Sequence, residues 1–508
     1  MLIMKRRTFI GFAGATAMAT LSGCATKDKI QKIEETNLKD THTFNTSLEQ
    51  MRAKNKKRVV VIGGGFAGLN TASAIVASDP KKDIEVIVIE RNQHYFVCPM
   101  SNTLLSGDSK FKKDDFVFDY TNVQREYKFE VIQAEVVDID RTKQQVYTSA
   151  GYLEYDFLVM APGIEYNYKA EFPNWSDAKI RQARLEAPGG LISDSGVEHA
   201  RLIQQLSAFK DNGGEGVIAI VPPRPKITKS LEESSAYKSL QRCKPAPYER
   251  ACMIANWIRK NGLVGKAKVL ILDNSARPQA KSAAFESVFK ELYSDIIEFI
   301  GGFDLMDVDF DKKEITYRSI NDDADYIKST MKYDVLNLIP LQKASSLISM
   351  TGLKTNAWGG AVLAKRKFYT VTDNKVYVLG DSAFYGKGVF RNNPKKKAGI
   401  PAAAQTSYSS AKIAGEMIAK RLLNNVDEPI KKFSASCFSM VKSDGDRFGI
   451  AIYKDFEFTD KGFIIDENVP KLNGKYYNTI AGEGLLGWFE GITADTFATF
   501  TPTVRSLS

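Results

Sequence analysis

One segment near the start of the chain constrains the fold more than any other. Residues 58–62, Arg58 followed by three Val and one Ile, predict a buried strand, and they lead directly into a glycine loop at 63–68. A helical stretch and a second strand at 84–89 follow, and that strand ends in Glu90. A lone glycine motif is a weak signal, but the order strand, glycine loop, helix, strand and acid predicts a dinucleotide-binding unit.

The glycine loop is suited to phosphate. Its residues permit a tight turn and let a pyrophosphate approach the helix N-terminus, where the helix dipole favours anions. Glu90 is then expected to accept hydrogen bonds from the hydroxyl groups of an adenosine ribose. The alternative is a glycine turn that binds no ligand. The candidate contacts are Gly63, Gly65, Phe66, Ala67, Gly68 and Glu90.

Two distant segments favour FAD as the dinucleotide. Residues 155–163 predict a strand closed by a turn at Ala161-Pro162-Gly163, and residues 376–379 predict a strand followed by Gly380 and Asp381. In flavoproteins that bind two dinucleotides, such an Asp contacts the ribityl-phosphate side of the flavin; otherwise Asp381 only caps a loop. A helix predicted from Pro401 to Leu423 would direct its N-terminus at the flavin pyrimidine edge.

The segment 165–339 predicts a second domain of the same kind, with strands at 217–221, 269–272 and 335–339. The first of these runs into Pro222-Pro223-Arg224-Pro225. Prolines lack N–H groups and cannot form a phosphate cradle, so we expect no nicotinamide nucleotide there. The predicted fold is α/β: an FAD-binding domain (58–164 and 340–424), a second Rossmann-like domain (165–339) and a C-terminal α+β domain (425–508).

The N-terminal residues are typical of an export signal. Lys5-Arg6-Arg7 precedes a 15-residue apolar run from Phe9 to Gly23, shorter than the roughly 20 residues a bilayer span needs. The Arg pair indicates a twin-arginine signal, and Leu21 to Cys24 resembles a lipobox in which Cys24 is lipidated; a plain cleaved signal is the alternative. We expect a signal (1–23), a polar tether (24–57) and a periplasmic protein attached to a membrane through lipid only.

Composition excludes several other classes of function. The net charge of +10 is scattered along the chain, which does not indicate a nucleic-acid partner. The three His are far apart, so we expect no metal site. The five Cys form neither CxxC nor CxxCH, so this chain is not expected to carry a c-type haem itself.

Further segments resemble the flavoprotein subunit of flavocytochrome c sulfide dehydrogenase. They are HYFVCPMSN at 94–102, CKPAPYER at 243–250, the surroundings of Cys437, and 488–497, within a likeness over about 57–500. The resemblance implies a glutathione-reductase-like fold and FAD bound covalently through Cys98; a buried Cys98 beside noncovalent flavin is the alternative. The candidate cofactor contacts now also include Arg91, Cys98, Lys397, Gly399 and Trp488, beside Ala161, Gly163, Gly380 and Asp381 from the two segments above. Trp488 aligns with a family aromatic near the isoalloxazine; a core Trp is the alternative.

The same resemblance implies sulfur chemistry at Cys243 and Cys437. A disulfide between them is reasonable in an exported protein, and attack by hydrosulfide would give a persulfide and free the other Cys. Glu249 aligns with a family Glu near the flavin, where it is either a general acid/base or a surface or ion-pair residue. The implied activity is oxidation of sulfide or a related reduced sulfur species, with electrons passing to a c-type cytochrome subunit.

Two other functions stay open at this point. One is a sulfide:quinone-type oxidoreductase working at the membrane, although no amphipathic membrane helix is evident in 425–508. The other is a flavin electron-transfer protein whose Cys pair is structural. The chain departs from the family at Lys244, where a Pro is expected, at Ile400, where a Tyr is expected, and in a longer polar stretch at 224–242.

Overall fold

The computed structural model describes residues 49–190, 196–224, 242–319 and 328–499. The predicted signal, with Arg6, Arg7 and Cys24, lies outside the described residues, as do most of the tether and of the polar stretch at 224–242. Within the described ranges, no helix has both the length and the apolar character needed to cross a membrane.

The strand before the glycine loop lies at the centre of a five-stranded parallel sheet. Lys57–Ile62 pairs with Ile84–Glu90 on one side and with Phe157–Met160 on the other. Its Val and Ile side chains are buried on both faces, as in parallel sheets covered by other elements. The strand order is Val376–Val378, Phe157–Met160, Lys57–Ile62, Ile84–Glu90 and Glu130–Gln133.

Two helices pack against each other beside this sheet, Phe66–Ala77 and Ala404–Asn424. The second helix was predicted to begin at Pro401, and that prediction is wrong by three residues. The backbone of Ala403 is extended (φ −162°, ψ 153°), so the helix starts only after it. The Pro401 carbonyl instead accepts a hydrogen bond from the Thr406 hydroxyl at 2.6 Å.

The second domain contains a four-stranded parallel sheet. Its order is Ile297–Ile300, Ala267–Leu272, Gly216–Val221 and Val335–Leu338. The helices Ala246–Lys260 and Ser282–Leu292 bury apolar side chains against it. The two parallel sheets confirm the predicted α/β class with two dinucleotide-binding-type domains.

A five-stranded sheet and the last helix make up the C-terminal unit. Its three long strands, Lys432–Lys442, Phe448–Thr459 and Gly462–Asn468, are antiparallel, and the helix is Thr479–Phe497. Two strands from before residue 425 complete the sheet, so this unit reaches further back along the chain than the sequence indicated. They are Gly388–Phe390 and Asn393–Ala398.

Residues 50–57, assigned to the tether from sequence, contact the rest of the protein. Gln50 forms a parallel bridge with Tyr152, and the buried Arg58 guanidinium donates to the carbonyls of Arg52 and Ala53.

The other elements of the described residues are further strands and helices. The strands are Tyr95–Phe96, Val117–Phe118, Val136–Asp140, Gln145–Thr148, Gly151–Glu154, Ile164–Tyr166, Phe303–Asp309, Glu314–Ser319, Ser329–Lys332, Gln342–Ala344, Ala361–Val362 and Ala383–Phe384. The α-helices are Thr121–Tyr127, Tyr168–Glu171, Asp177–Glu186, Val197–Asp211 and Ser346–Met350.

Candidate active site

Three cysteines from different parts of the fold meet at one cavity. Cys98 follows the second strand of the first sheet, Cys243 precedes the helix Ala246–Lys260, and Cys437 lies on the strand Lys432–Lys442. All three line the same cavity. Residues that are up to 339 positions apart in the sequence therefore share one small space. Glu249, Trp488, Arg242 and Asn102 line it as well.

The glycine loop fits the phosphates of a dinucleotide by its shape. Gly63 has φ +106°, and a Cβ atom there would lie 2.3 Å from the Ala161 carbonyl oxygen. A Cβ atom at Gly68 would lie 1.8 Å from the Gly63 carbonyl oxygen. The Tyr120 ring lies directly over Gly64, and its buried hydroxyl has no hydrogen-bond partner among the described residues. Glycines that leave no room for a side chain, beside an unpaired hydroxyl, fit the phosphate end of FAD.

Glu90 stands beside the glycine loop, as predicted for a ribose-binding acid. Its Oε2 accepts a hydrogen bond from the Gly64 backbone N–H at 2.7 Å. Its Oε1 accepts from the backbone and side-chain nitrogens of Asn92 at 2.8 and 2.9 Å. Asn92, which the sequence analysis missed, therefore fixes the carboxylate, whereas Arg91 is exposed.

Asp381 and the turn after Met160 lie at the carboxyl ends of neighbouring strands of the first sheet. Gly163 has φ +76°, and its carbonyl accepts a hydrogen bond from the Ser382 hydroxyl. Gly380 has φ +70°, and a Cβ atom there would lie 3.1 Å from that of Ala67. This part of the structure brings the two distant segments predicted to bind FAD against the glycine loop.

Arg242 is the principal site residue that sequence reasoning missed. Its side chain is buried, its Nε forms an ion pair with Asp381, and its Nη1 donates to the Cys98 sulfur at 3.3 Å. Burial disfavours its charge, but Asp381, Cys98 and Cys243 together raise the pKa of Arg242 above its ordinary value. The one signal in the sequence was its position directly before Cys243.

Cys243 lies in an unusual backbone conformation at the start of a helix. Its φ of +46° is rare for a residue with a side chain, and its carbonyl accepts from the Ala246 N–H at 3.0 Å. Burial, followed by the charges of Glu249 and Cys98, raises the pKa of the Cys243 thiol. Cys98, Cys243, Cys252 and Cys437 are all free in this structure, so the Cys243–Cys437 disulfide stays a prediction.

Glu249 lies in the first turn of the helix Ala246–Lys260 and lines the cavity of the cysteines. Burial raises the pKa of its carboxyl group, and the Lys281 ammonium and hydrogen bonds from Ser439 and Asn102 counteract only part of that increase. Lys281 Nζ donates to Ser439 Oγ at 2.6 Å. A carboxyl that keeps its proton to higher pH than usual is suited to general acid/base work.

The remaining predicted cofactor contacts are divided between the cavity and the surface. Trp488 lines the cavity and packs against Phe438, with ring centroids 5.7 Å apart. Lys397 is exposed on the edge strand Asn393–Ala398, and Gly399 is exposed directly after it. Neither of these two is among the cavity-lining residues.

Side chains hold the carboxyl ends of the two central strands of the second domain. Gln279 Nε2 donates to the Pro223 carbonyl and to Asp273 Oδ1, both at 2.9 Å. The buried Tyr248 hydroxyl donates to Asp273 Oδ2 at 2.6 Å. An acid at the end of Ala267–Leu272 is thus engaged by protein groups, and the loop before it offers prolines in place of amides.

We therefore expect NADH and NADPH not to reduce the flavin. Pro222-Pro223 supplies no N–H groups for a pyrophosphate, and Asp273 is already hydrogen-bonded. Anaerobic stopped-flow mixing with excess NADH should leave the flavin absorbance unchanged, while dithionite should bleach it. Rapid bleaching by NADH would show that the second domain binds nucleotide in another way.

Two segments match known families. Residues 234–340 match the family described as sulfide dehydrogenase [flavocytochrome c] flavoprotein chain, central, and residues 57–193 match pyridine nucleotide-disulphide oxidoreductase. These matches confirm the resemblance inferred from the sequence. Among curated proteins, the type II NADH:quinone oxidoreductases of Staphylococcus haemolyticus and Staphylococcus aureus are 30% and 29% identical over 113 and 111 residues. Each match spans 22% of this chain, and 28% and 27% of those relatives.

Solved structures show the same fold over most of the chain. The sulfide:quinone oxidoreductase of Aquifex aeolicus superposes with a TM-score of 0.63 at 16% identity, covering 87% of this chain and 92% of that one. A NAD-dependent persulfide reductase from A. fulgidus gives a TM-score of 0.54 at 16% identity, covering 86% and 77%. At these identities the likeness establishes the fold alone.

Proposed function

We propose that this chain, an FAD-dependent oxidoreductase of the sulfide dehydrogenase type, oxidises sulfide or a related reduced sulfur species and passes the electrons to a c-type cytochrome. The observation that carries the proposal is the convergence of Cys98, Cys243 and Cys437 on one cavity with Glu249. The family matched by residues 234–340 is a flavocytochrome c flavoprotein chain, which supports a cytochrome partner.

Residues of the first domain would hold the different parts of FAD. The glycine loop at 63–68 would hold the phosphates, Glu90 the adenosine ribose and Asp381 the ribityl side. Cys98 would lie at the dimethylbenzene ring and form the covalent bond. When bound, FAD supplies an acceptor that takes two electrons together and gives them up singly.

Cys243 and Cys437 supply the sulfur chemistry, starting from a disulfide. Hydrosulfide attacks one of the two sulfurs; the S–S bond between the cysteines breaks, a persulfide forms, and the other Cys leaves as a thiolate. The disulfide then re-forms, and zero-valent sulfur and one proton are released. Bound FAD would accept the two electrons that this step sets free. Burial raises the pKa of the Cys243 thiol, and the charge of the neighbouring Arg242 counteracts part of that increase.

A sulfide:quinone activity is the second candidate, favoured by the structural likeness to an enzyme of that activity. Anaerobic titration of the purified protein with sulfide should bleach the flavin under either proposal. Subsequent addition of cytochrome c or of a soluble quinone then separates them, because only the true acceptor should restore the absorbance rapidly. Flavin that sulfide does not reduce would contradict both.

Glu249→Gln should lower sulfide-dependent turnover by roughly 100-fold, within the range for loss of a positioned acid/base. Gln keeps the size of the side chain and the contact with Asn102 but cannot transfer a proton. Burial raises the pKa of Glu249, so the wild-type rate should change across a pH range above that of an ordinary Glu. That change should be absent from the pH profile of the variant. An unchanged profile would assign Glu249 a structural role.

Export and lipid attachment belong to the same proposal. Arg6→Lys with Arg7→Lys should leave the precursor in the cytoplasm, because the twin-arginine pair is the recognised element of that signal. Cys24→Ala should move the protein from the membrane fraction to the soluble periplasmic fraction. Wild-type protein that is already soluble after lysis would contradict the lipid anchor.

A further inference from the structure

Arg242 connects three parts of the candidate site. Its Nε pairs with the buried Asp381, its Nη1 donates to Cys98 Sγ at 3.3 Å, and the next residue is Cys243. We propose that Arg242 is the positioning residue that holds the Cys98 sulfur for its bond to the flavin. This inference rests on the proposed function and deepens it.

The guanidinium is fixed in one orientation by its surroundings. The Arg242 backbone N–H donates to Gln342 Oε1 at 2.8 Å, and the side chain of Gln342 is itself buried. The Asp381 carboxylate engages Nε, which leaves Nη1 directed at Cys98. A planar fork can serve a carboxylate and a sulfur at once, whereas the single ammonium of Lys cannot reproduce this geometry.

The backbone of the Cys98 loop is held from its other side. The Ser101 hydroxyl donates to the Cys98 carbonyl at 2.7 Å and lies 3.1 Å from His199 Nε2. Burial and the Arg250 charge lower the pKa of His199, which favours its neutral form. Met100 lies in the left-handed region with φ +62°. The loop is therefore anchored through its backbone, and Arg242 determines where the sulfur points.

The bond that Arg242 would support is a thioether between Cys98 and the flavin, and no atoms are lost when it forms. The Cys98 sulfur joins the 8α-methyl carbon; the S–H and one C–H bond break, and both hydrogens and the electron pair remain with the flavin. Dioxygen or the electron acceptor then removes that pair. The contact from Arg242 Nη1 to the Cys98 sulfur would keep that sulfur in one position while the bond forms.

The test measures the ratio of covalent to total flavin in the purified full-length protein. Arg242→Gln should retain FAD but lower the covalent fraction, read as colour in the acid pellet and as the mass of the Cys98 peptide. The reduction should be about tenfold or more, as for loss of a hydrogen bond from a charged donor. Arg242→Lys should restore only part of the covalent fraction. The matched control is Arg224→Gln, which removes another buried guanidinium, paired with Glu171 and Asp304, and should leave the fraction unchanged.

These measurements distinguish a failure of the role of Arg242 from a failure of the proposed function. A covalent fraction that is unchanged in Arg242→Gln, or reduced equally in Arg224→Gln, would overturn the inference. If Arg242→Gln does not fold, Arg242→Lys carries the same comparison. If wild-type flavin is entirely noncovalent, covalent attachment is wrong, and the measurement becomes the rate of iodoacetamide labelling of Cys98. That rate should fall about tenfold in Arg242→Gln, and an unchanged rate would overturn the role of Arg242.

Discussion

Replacing either Cys243 or Cys437 by Ser should remove sulfide-dependent turnover while leaving the flavin in place. Hydrosulfide needs an electrophilic sulfur, and a hydroxyl group cannot replace one half of a disulfide. We expect a loss of about 1,000-fold or more in each variant, and the double variant should lose little further because the pair acts as a unit. Sulfide-dependent reduction of cytochrome c, measured beside flavin content, provides both quantities.

The chain contains a matched control for this experiment. Cys252 is a free, fully buried Cys on the helix Ala246–Lys260, which Cys243 precedes. Cys252→Ser should therefore keep its sulfide turnover, and dithionite should reduce the flavin in all of the variants. Peptide mapping without reductant should recover a Cys243–Cys437 link from the wild-type protein. Full turnover in Cys437→Ser, or a link from Cys243 to Cys252, would remove the basis for this chemistry.

Cys98→Ser should release the flavin completely on acid denaturation. The wild-type pellet should stay yellow, because acid unfolds the protein but does not break a thioether bond. In the variant the colour should move entirely to the supernatant, although the folded protein should still bind FAD through the glycine loop and Asp381. Absorbance at the flavin maximum in both fractions measures the change directly.

The result for Cys98 can be separated from general damage to the site. A Ser side chain is close in size to Cys, and the loop backbone is held by Ser101, so the fold should persist. Thermal unfolding should show the variant to be folded before acid is added. Colour in the wild-type supernatant would contradict covalent attachment, and colour retained in the Cys98→Ser pellet would assign the bond to another residue.

The sequence was sufficient to predict the two parallel sheets because their signals are local. The run at 58–62, the glycine loop and Glu90 follow one another within 33 residues, and each has a period or a conformational requirement of its own. The start of the helix Ala404–Asn424 was misplaced because Pro at a first turn is only a preference, and the carbonyl of Pro401 accepts a hydrogen bond from Thr406 instead.

The unpredicted parts of the site depend on contacts between distant segments. Arg242 meets Asp381 across 139 positions, and Lys281 meets Ser439 across 158. No periodicity in the sequence encodes such a pair, because each partner also looks like an ordinary charged or polar residue at its own position. The resemblance predicted that Cys243 and Cys437 belong to one site, but only the folded chain shows which cationic side chains lie beside them.

The three cavity cysteines come from three different parts of the fold: a loop of the first domain, the start of a helix in the second and a strand of the C-terminal sheet. We therefore expect that a partial loosening of the packing between these parts would separate the cysteines. Sub-global opening requires less free energy than complete unfolding. Sulfur oxidation should accordingly be lost at denaturant concentrations that leave the secondary structure intact, which makes the enzyme a sensitive reporter of its own domain packing.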